Sequence, residues 1–201
     1  LVPGIQHINK IVVRNNGGVS EVLVAAADSY YGSANSTTYM GSDTYGIYKS
    51  INGGSTWAPL NMPLTSNQNK YCPNDIEISA DNKIWVSTMN STVYGNGGGK
   101  VYSSTDGTTF TEKYAVTNGT RTQIAVSSTT PDKVYVLAEL SQTGTTDGIE
   151  VTIVKTLDGF ASSSATALPA STLNAATRTD TYGFTGQQAF YNLLMEVDPA
   201  N

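Results

Sequence analysis

Apolar residues along this chain fall in short β-rich runs separated by turn formers, and the runs come in pairs. Residues 11–13 lead through Asn15-Asn16-Gly17-Gly18 into 21–26. Residues 75–78 lead through Ala80-Asp81-Asn82 into 83–88. Residues 123–126 lead through Thr129-Thr130-Pro131-Asp132 into 133–138, and 193–197 followed by Asp198-Pro199 opens a fourth pair. Two strand-like runs joined by Asn, Asp, Gly or Pro predict a hairpin. A second hairpin follows each of the first three. Its strands begin at Gly46-Ile47-Tyr48-Lys49, Lys100-Val101-Tyr102-Ser103 and Val151-Thr152-Ile153-Val154-Lys155.

The turn positions of these second hairpins, Asn52, Asp106 and Asp158, are 54 and 52 residues apart. Four short strands per unit at this spacing predict the blades of a β-propeller. The expected fold is all-β, with three complete four-stranded blades at about 5–61, 74–116 and 122–168. The first strand of a fourth is expected within 188–201. Three blades do not close a ring, since propellers typically have about four to eight. The remainder of the propeller is therefore expected outside residues 1–201. The absence of a leader pattern at Leu1 and the break at 196–201, within what reads as a strand and turn, carry the same expectation of a longer chain.

Composition narrows the function. Eleven Lys and Arg against sixteen Asp and Glu give a net charge of −5. That balance is unsuited to a phosphate backbone, so nucleic acid is not an expected partner. Charged residues make up 13% of the chain, while Ser, Thr, Gly and Tyr are abundant. Such a mixture favours strands and turns over a helix bundle and suits an extracellular or cell-surface protein. Cys72 is the only cysteine and His7 the only histidine, which excludes an internal disulfide and a His-rich zinc site. No metal or cofactor is expected. The longest apolar run, 22–27, is too short to span a membrane.

Ser50-Ile51-Asn52-Gly53-Gly54-Ser55-Thr56-Trp57 resembles the Asp-box, Ser-x-Asp-x-Gly-x-Thr-Trp, with Asn in place of Asp. The copy from Ser104 through Asp106 to Phe110 is one residue shorter, and a third copy retains Thr156-x-Asp158-Gly159. The chain resembles the BNR/Asp-box β-propellers, which include sialidases, sortilin-like receptors and xyloglucanase-type glycosidases. It is most similar to the large secreted bacterial surface proteins exported by type IX secretion. The resemblance implies a structural role for Ser50, Asn52, Gly54, Trp57, Ser104, Asp106, Phe110 and Asp158. In it the box joins third and fourth strands on the face away from the binding site. The physical reading agrees: Asn and Asp accept N–H bonds inside their own turn, Gly supplies positive φ, and Trp57 and Phe110 are expected to wedge between blades.

The long connections at 28–45, 61–73, 88–99, 140–148 and 169–188 then lie on the opposite face, where binding is expected. Asp28, Tyr30, Tyr31, Tyr39, Asp43 and Tyr45 are the candidate ligand-binding residues, because rings stack on sugars and carboxylates accept from sugar hydroxyls. Asp43-Thr44-Tyr45-Gly46 loosely resembles a catalytic segment of the xyloglucan-degrading enzymes, with Ser42 for Thr and Ile47 for the second Gly. Asp43 is thereby the candidate catalytic carboxylate, its partner being supplied by a second propeller in that family. A sialidase needs three convergent arginines. Arg14 is expected on the box face, and Arg121 and Arg178 on the other. The expected function is a secreted or surface recognition or scaffold module for glycan or protein. The alternatives are a glycoside hydrolase and a sortilin-like peptide receptor.

Overall fold

A computed structural model of the chain describes residues 7–28, 45–141, 151–168, 189 and 193–198. Every regular element among them is a strand, so the all-β expectation holds. The strands are β1 (His7–Asn16), β2 (Val19–Ala27), β3 (Gly46–Ser50), β4 (Ala58–Leu60), β5 (Cys72–Ile78) and β6 (Ile84–Met89). They continue as β7 (Lys100–Ser104), β8 (Thr111–Ala115), β9 (Gly119–Val126), β10 (Val134–Leu140), β11 (Val151–Thr156) and β12 (Ser164–Thr166). Each pairs antiparallel with its chain neighbour in three groups of four. We call β1–β4, β5–β8 and β9–β12 the first, second and third sheets. One residue pair, Met89 with Arg121, joins β6 to β9 and makes the second and third sheets continuous.

Local chemistry accounts for the hairpins. Gly17 and Gly18 turn β1 into β2 with φ of 61° and 92°, the sign that a tight two-residue hairpin requires. Asn15 Oδ1 accepts the Gly18 N–H at 2.7 Å, so β1 runs further toward the turn than its apolar run alone indicates.

Strand alternation then builds two sheet-on-sheet cores. Leu23, Ala25 and Ile47 of the first sheet meet Ile76, Ile84, Val86, Tyr102 and Phe110. Trp85, Val101 and Val116, also from the second sheet and its following loop, meet Ile124, Val134, Val136, Ala138 and Val154 of the third. β6 is consequently buried along its whole length. Each of these fully buried Ile and Val side chains contributes about 1.5–3 kcal/mol. The far side of the third sheet is covered at Leu137 and Val151 by Ala189 and Leu193.

Two expectations are corrected. Residues 193–198 are not a strand, because no described strand lies alongside to complete a ladder; they pack on the third sheet instead. Trp57 is only half-buried, whereas Phe110, at the matching place in the next turn, is 5% exposed within the first core. The wedge forms where a preceding sheet receives the ring, and none of the described sheets lies before the first. Among the described residues no helix is long and apolar enough to cross a membrane.

Candidate functional site

The sheets have two chemically distinct ends. At one end lie the Ser/Thr-x-Asn/Asp turns together with the β1–β2, β5–β6 and β9–β10 hairpins. Arg14 joins two sheets there. Its Nη1 donates to the carbonyls of Asn82 at 3.2 Å and Thr105 at 3.4 Å, while its Nε donates to Glu21 at 2.6 Å. Lys83 makes the corresponding reach from the second sheet to Asp132 of the third.

At this end the turn carboxylates serve the turns. Asp106 Oδ1 accepts the N–H groups of Thr109 and Thr108 at 2.8 Å each and the Ser104 hydroxyl at 2.9 Å. These bonds, the Thr109 amide first, hold its carboxyl well below the usual carboxylate range. Asp158 accepts the side chain and amide of Ser162 and the Thr156 hydroxyl, which bring it down to about 2. Asn52 Oδ1 accepts the Thr56 N–H at 2.9 Å, and Ser50 Oγ accepts the Gly54 N–H at 2.9 Å. The aromatic that ends each of the later turns packs backwards. Phe110 enters the first core, and Phe160 stacks on Tyr114 of the second sheet at 4.8 Å between centroids and meets Trp85 edge-on. Gly54 and Trp57 stay together in the first turn, a Cβ on Gly54 falling 3.5 Å from the indole.

The opposite end carries the long connections. Asp28 stands where β2 leaves the sheet and is 1% exposed. Its Oδ2 accepts the Thr92 N–H at 2.9 Å, and its Oδ1 faces the Cys72 thiol at 3.6 Å. Burial and the Asp28 charge together push that thiol well up. Tyr45 is 4% exposed, and its hydroxyl donates to the Lys70 carbonyl at 3.2 Å. Both residues therefore anchor the ends of the 28–45 connection to the body. The other candidates of that connection, Tyr30, Tyr31, Tyr39 and Asp43, lie outside the described residues, as does Arg178. Beside Tyr45 a cavity of 190 Å³ is lined by Tyr48, Pro59, Met62, Leu64 and Tyr71. Asn61 and Lys70 share this wall with the tyrosines and prolines.

One cluster was not read from the sequence. Lys10 Nζ lies 2.5 Å from Glu77 Oε1 and 3.6 Å from Asp75 Oδ1. Asp75 accepts the N–H of Ile76 at 2.9 Å and of Ile124 at 3.2 Å, so one carboxyl touches all three sheets. Burial pushes Asp75 up to about 6 and outweighs Lys10, which pulls the other way. Burial alone would lower Lys10, but the hydrogen bond it donates to Glu77 and the nearby carboxylates raise it. Next to it, Asn74 Nδ2 donates to the Thr122 carbonyl at 2.7 Å, and Arg121 donates to Asn74 at 3.2 Å. The only signal in the sequence was a polar residue at alternate places in otherwise apolar first strands. Lys10 and Glu77 lie 67 residues apart, and Asp75 and Ile124 lie 49 apart.

No group of His, Cys, Asp and Glu among the described residues is arranged to hold a metal ion. Comparison with protein-family models and with curated proteins finds no match.

Proposed function

We propose that the three sheets are successive blades of an Asp-box β-propeller. In this reading the chain is a recognition or scaffold module of a secreted or cell-surface protein, binding glycan or protein at the end that carries the long connections. The observation that carries the reading is the equivalence of the sheets in register. Ile76, Val86 and Tyr102 form one row across the second sheet, and Ile124, Val136 and Val154 form the matching row across the third. All six are at most 5% exposed, and each row faces the preceding sheet. The closed hydrogen bonding of the turns supports a scaffold role for that end. The ring-lined cavity and the Tyr-rich 28–45 connection support binding at the other.

The test is made on the intact protein with a glycan array, followed by calorimetry on the strongest binder. Tyr30→Ala combined with Tyr31→Ala is expected to weaken binding about tenfold or more, one decade being 1.4 kcal/mol, with no reducing sugar released by wild type. Release of reducing sugar that disappears in Asp43→Asn would contradict the reading and establish a glycoside hydrolase, since a catalytic carboxylate acts mainly in the transition state.

A further inference from the structure

The four-strand repeat departs from itself at one corner of the second sheet. The residue before each Ser/Thr-x-Asn/Asp turn is Lys49 in the first sheet, Ser103 in the second and Lys155 in the third. The three are equivalent in register. They pair with Leu23, Trp85 and Tyr135 on one side and with Ala58, Thr111 and Ser164 on the other. In the first sheet Lys49 reaches the carboxylate of Glu21, two residues before Leu23, at 3.4 Å. In the second sheet the place of Glu21 is taken by Lys83, two residues before Trp85. An ion pair thus gives way to a cation and a short hydroxyl side chain, and both line an open cavity of 220 Å³.

The rest of the lining adds donors. Thr105, Thr109 and Thr111 border the cavity, as does Lys113. Lys113 is the extra residue of β8, where the pairing steps from Val101–Tyr114 to Tyr102–Glu112, and a bulge of this kind re-aims a side chain. Ser103 is 5% exposed, yet its hydroxyl makes no hydrogen bond among the described residues. A polar side chain so deeply buried is ordinarily bonded. The hydroxyls of Thr105, Thr109 and Thr111 are likewise unbonded among the described residues, and Lys113 makes no ion pair there. The other polar groups are spent inside the chain. Lys83 holds Asp81 and Asp132. Asp106, the one acid in the lining, accepts the Ser104 hydroxyl and the Thr108 and Thr109 amides of its own turn. What remains to serve a ligand is hydroxyl donors and one ammonium, with no ring or aliphatic side chain in the wall.

We infer that this corner of the second sheet binds a sulfate or phosphate group, with Lys113 supplying the charge and the Ser103 and Thr111 hydroxyls donating to its oxygens. Such a group brings several acceptor oxygens and negative charge together, which is what hydroxyl donors beside an ammonium complement. A neutral sugar would lack here the ring on which sugars stack. The open mouth admits the group as a free ion or as an ester. The site stands at the end that carries the turns, away from the long connections. It rests on the register of the second sheet and on neither the blade reading nor the ligand proposed for the other end.

Calorimetry on the polypeptide as the cell produces it tests this with four probes: sodium sulfate, sodium phosphate, galactose 6-sulfate and galactose. At least one anionic probe is expected to bind with a Kd of about 1 mM or tighter, and galactose is expected not to bind. Ser103→Ala is expected to weaken that binding about tenfold, the worth of a hydrogen bond to a charged group. It is also expected to leave the urea midpoint in place, because the hydroxyl bonds nothing in the protein. Lys113→Gln is expected to weaken binding about fivefold. Galactose 6-sulfate binding more tightly than sulfate identifies an ester as the ligand, and equal affinities identify the free ion; both support the inference. No binding of any anionic probe overturns it. Binding that neither substitution changes places the anion elsewhere and also overturns it, as does a fall in the urea midpoint of Ser103→Ala, which would make the hydroxyl structural.

Discussion

Asp75 is where single-residue chemistry is most exposed to test. Its ordinary value is 3.8, and in the folded chain it is pushed up to about 6. A carboxyl whose folded value is raised is held more tightly in its protonated form. Its contribution is therefore fully favourable below about pH 4 and is lost as pH rises toward 6. Asp75→Asn is neutral throughout and keeps an oxygen acceptor for only one of the Ile76 and Ile124 amides, which bond to Oδ1 and Oδ2, a loss that does not vary with pH. Its stability relative to wild type is therefore expected to rise by up to about 3 kcal/mol as pH goes from 4 to 6.5. Urea melts of both proteins across that interval measure the difference, and a difference that does not change with pH would contradict it. The two ring positions give a second contrast. Phe110→Ala removes a ring from the first core and is expected to cost about 3–5 kcal/mol. Trp57→Ala in residues 1–201 alone removes a half-buried ring and is expected to cost less than about 1 kcal/mol. Equal losses in urea melts would mean that the two rings are equally packed.

Between elements, the join of the second and third sheets depends on close backbone approach. The Asn90 N–H donates to the Thr120 carbonyl at 2.6 Å. Gly98 lies over this bond, and a Cβ there would fall 2.2 Å from the Thr120 oxygen and 2.8 Å from the Asn90 nitrogen. Both neighbours are backbone and have no rotamer with which to yield. Gly98→Ala is expected to lower stability by about 1–3 kcal/mol, read as a fall in the urea midpoint; an unchanged midpoint would mean that the join is loose. Hairpins of this kind were legible in the sequence, because a turn and its two strands are written within about twenty residues by local chemistry. The regular spacing of Asn52, Asp106 and Asp158 likewise exposed the repeat. The Asp75 joint was not legible, since its charges and amides come from three strands remote in sequence. The same holds for Asp28 and Tyr45. Their residue types suit a ligand site, and only the positions of Cys72, Thr92 and Lys70 reveal that the fold uses their polar groups.

At the scale of the whole molecule, the proposed reading makes the first, second and third sheets one unit used repeatedly, with two sheet-on-sheet cores between them. Ile8, Ile11 and Val13 on the outer strand of the first sheet are exposed, while Val24 and Tyr48 on the same face are buried. The most direct measurement is an electron cryomicroscopy structure of the polypeptide as the cell produces it. The proposed reading predicts that the three sheets stand consecutively around a closed ring. A structure in which the sheets pack as a two-layer sandwich without a ring would contradict it.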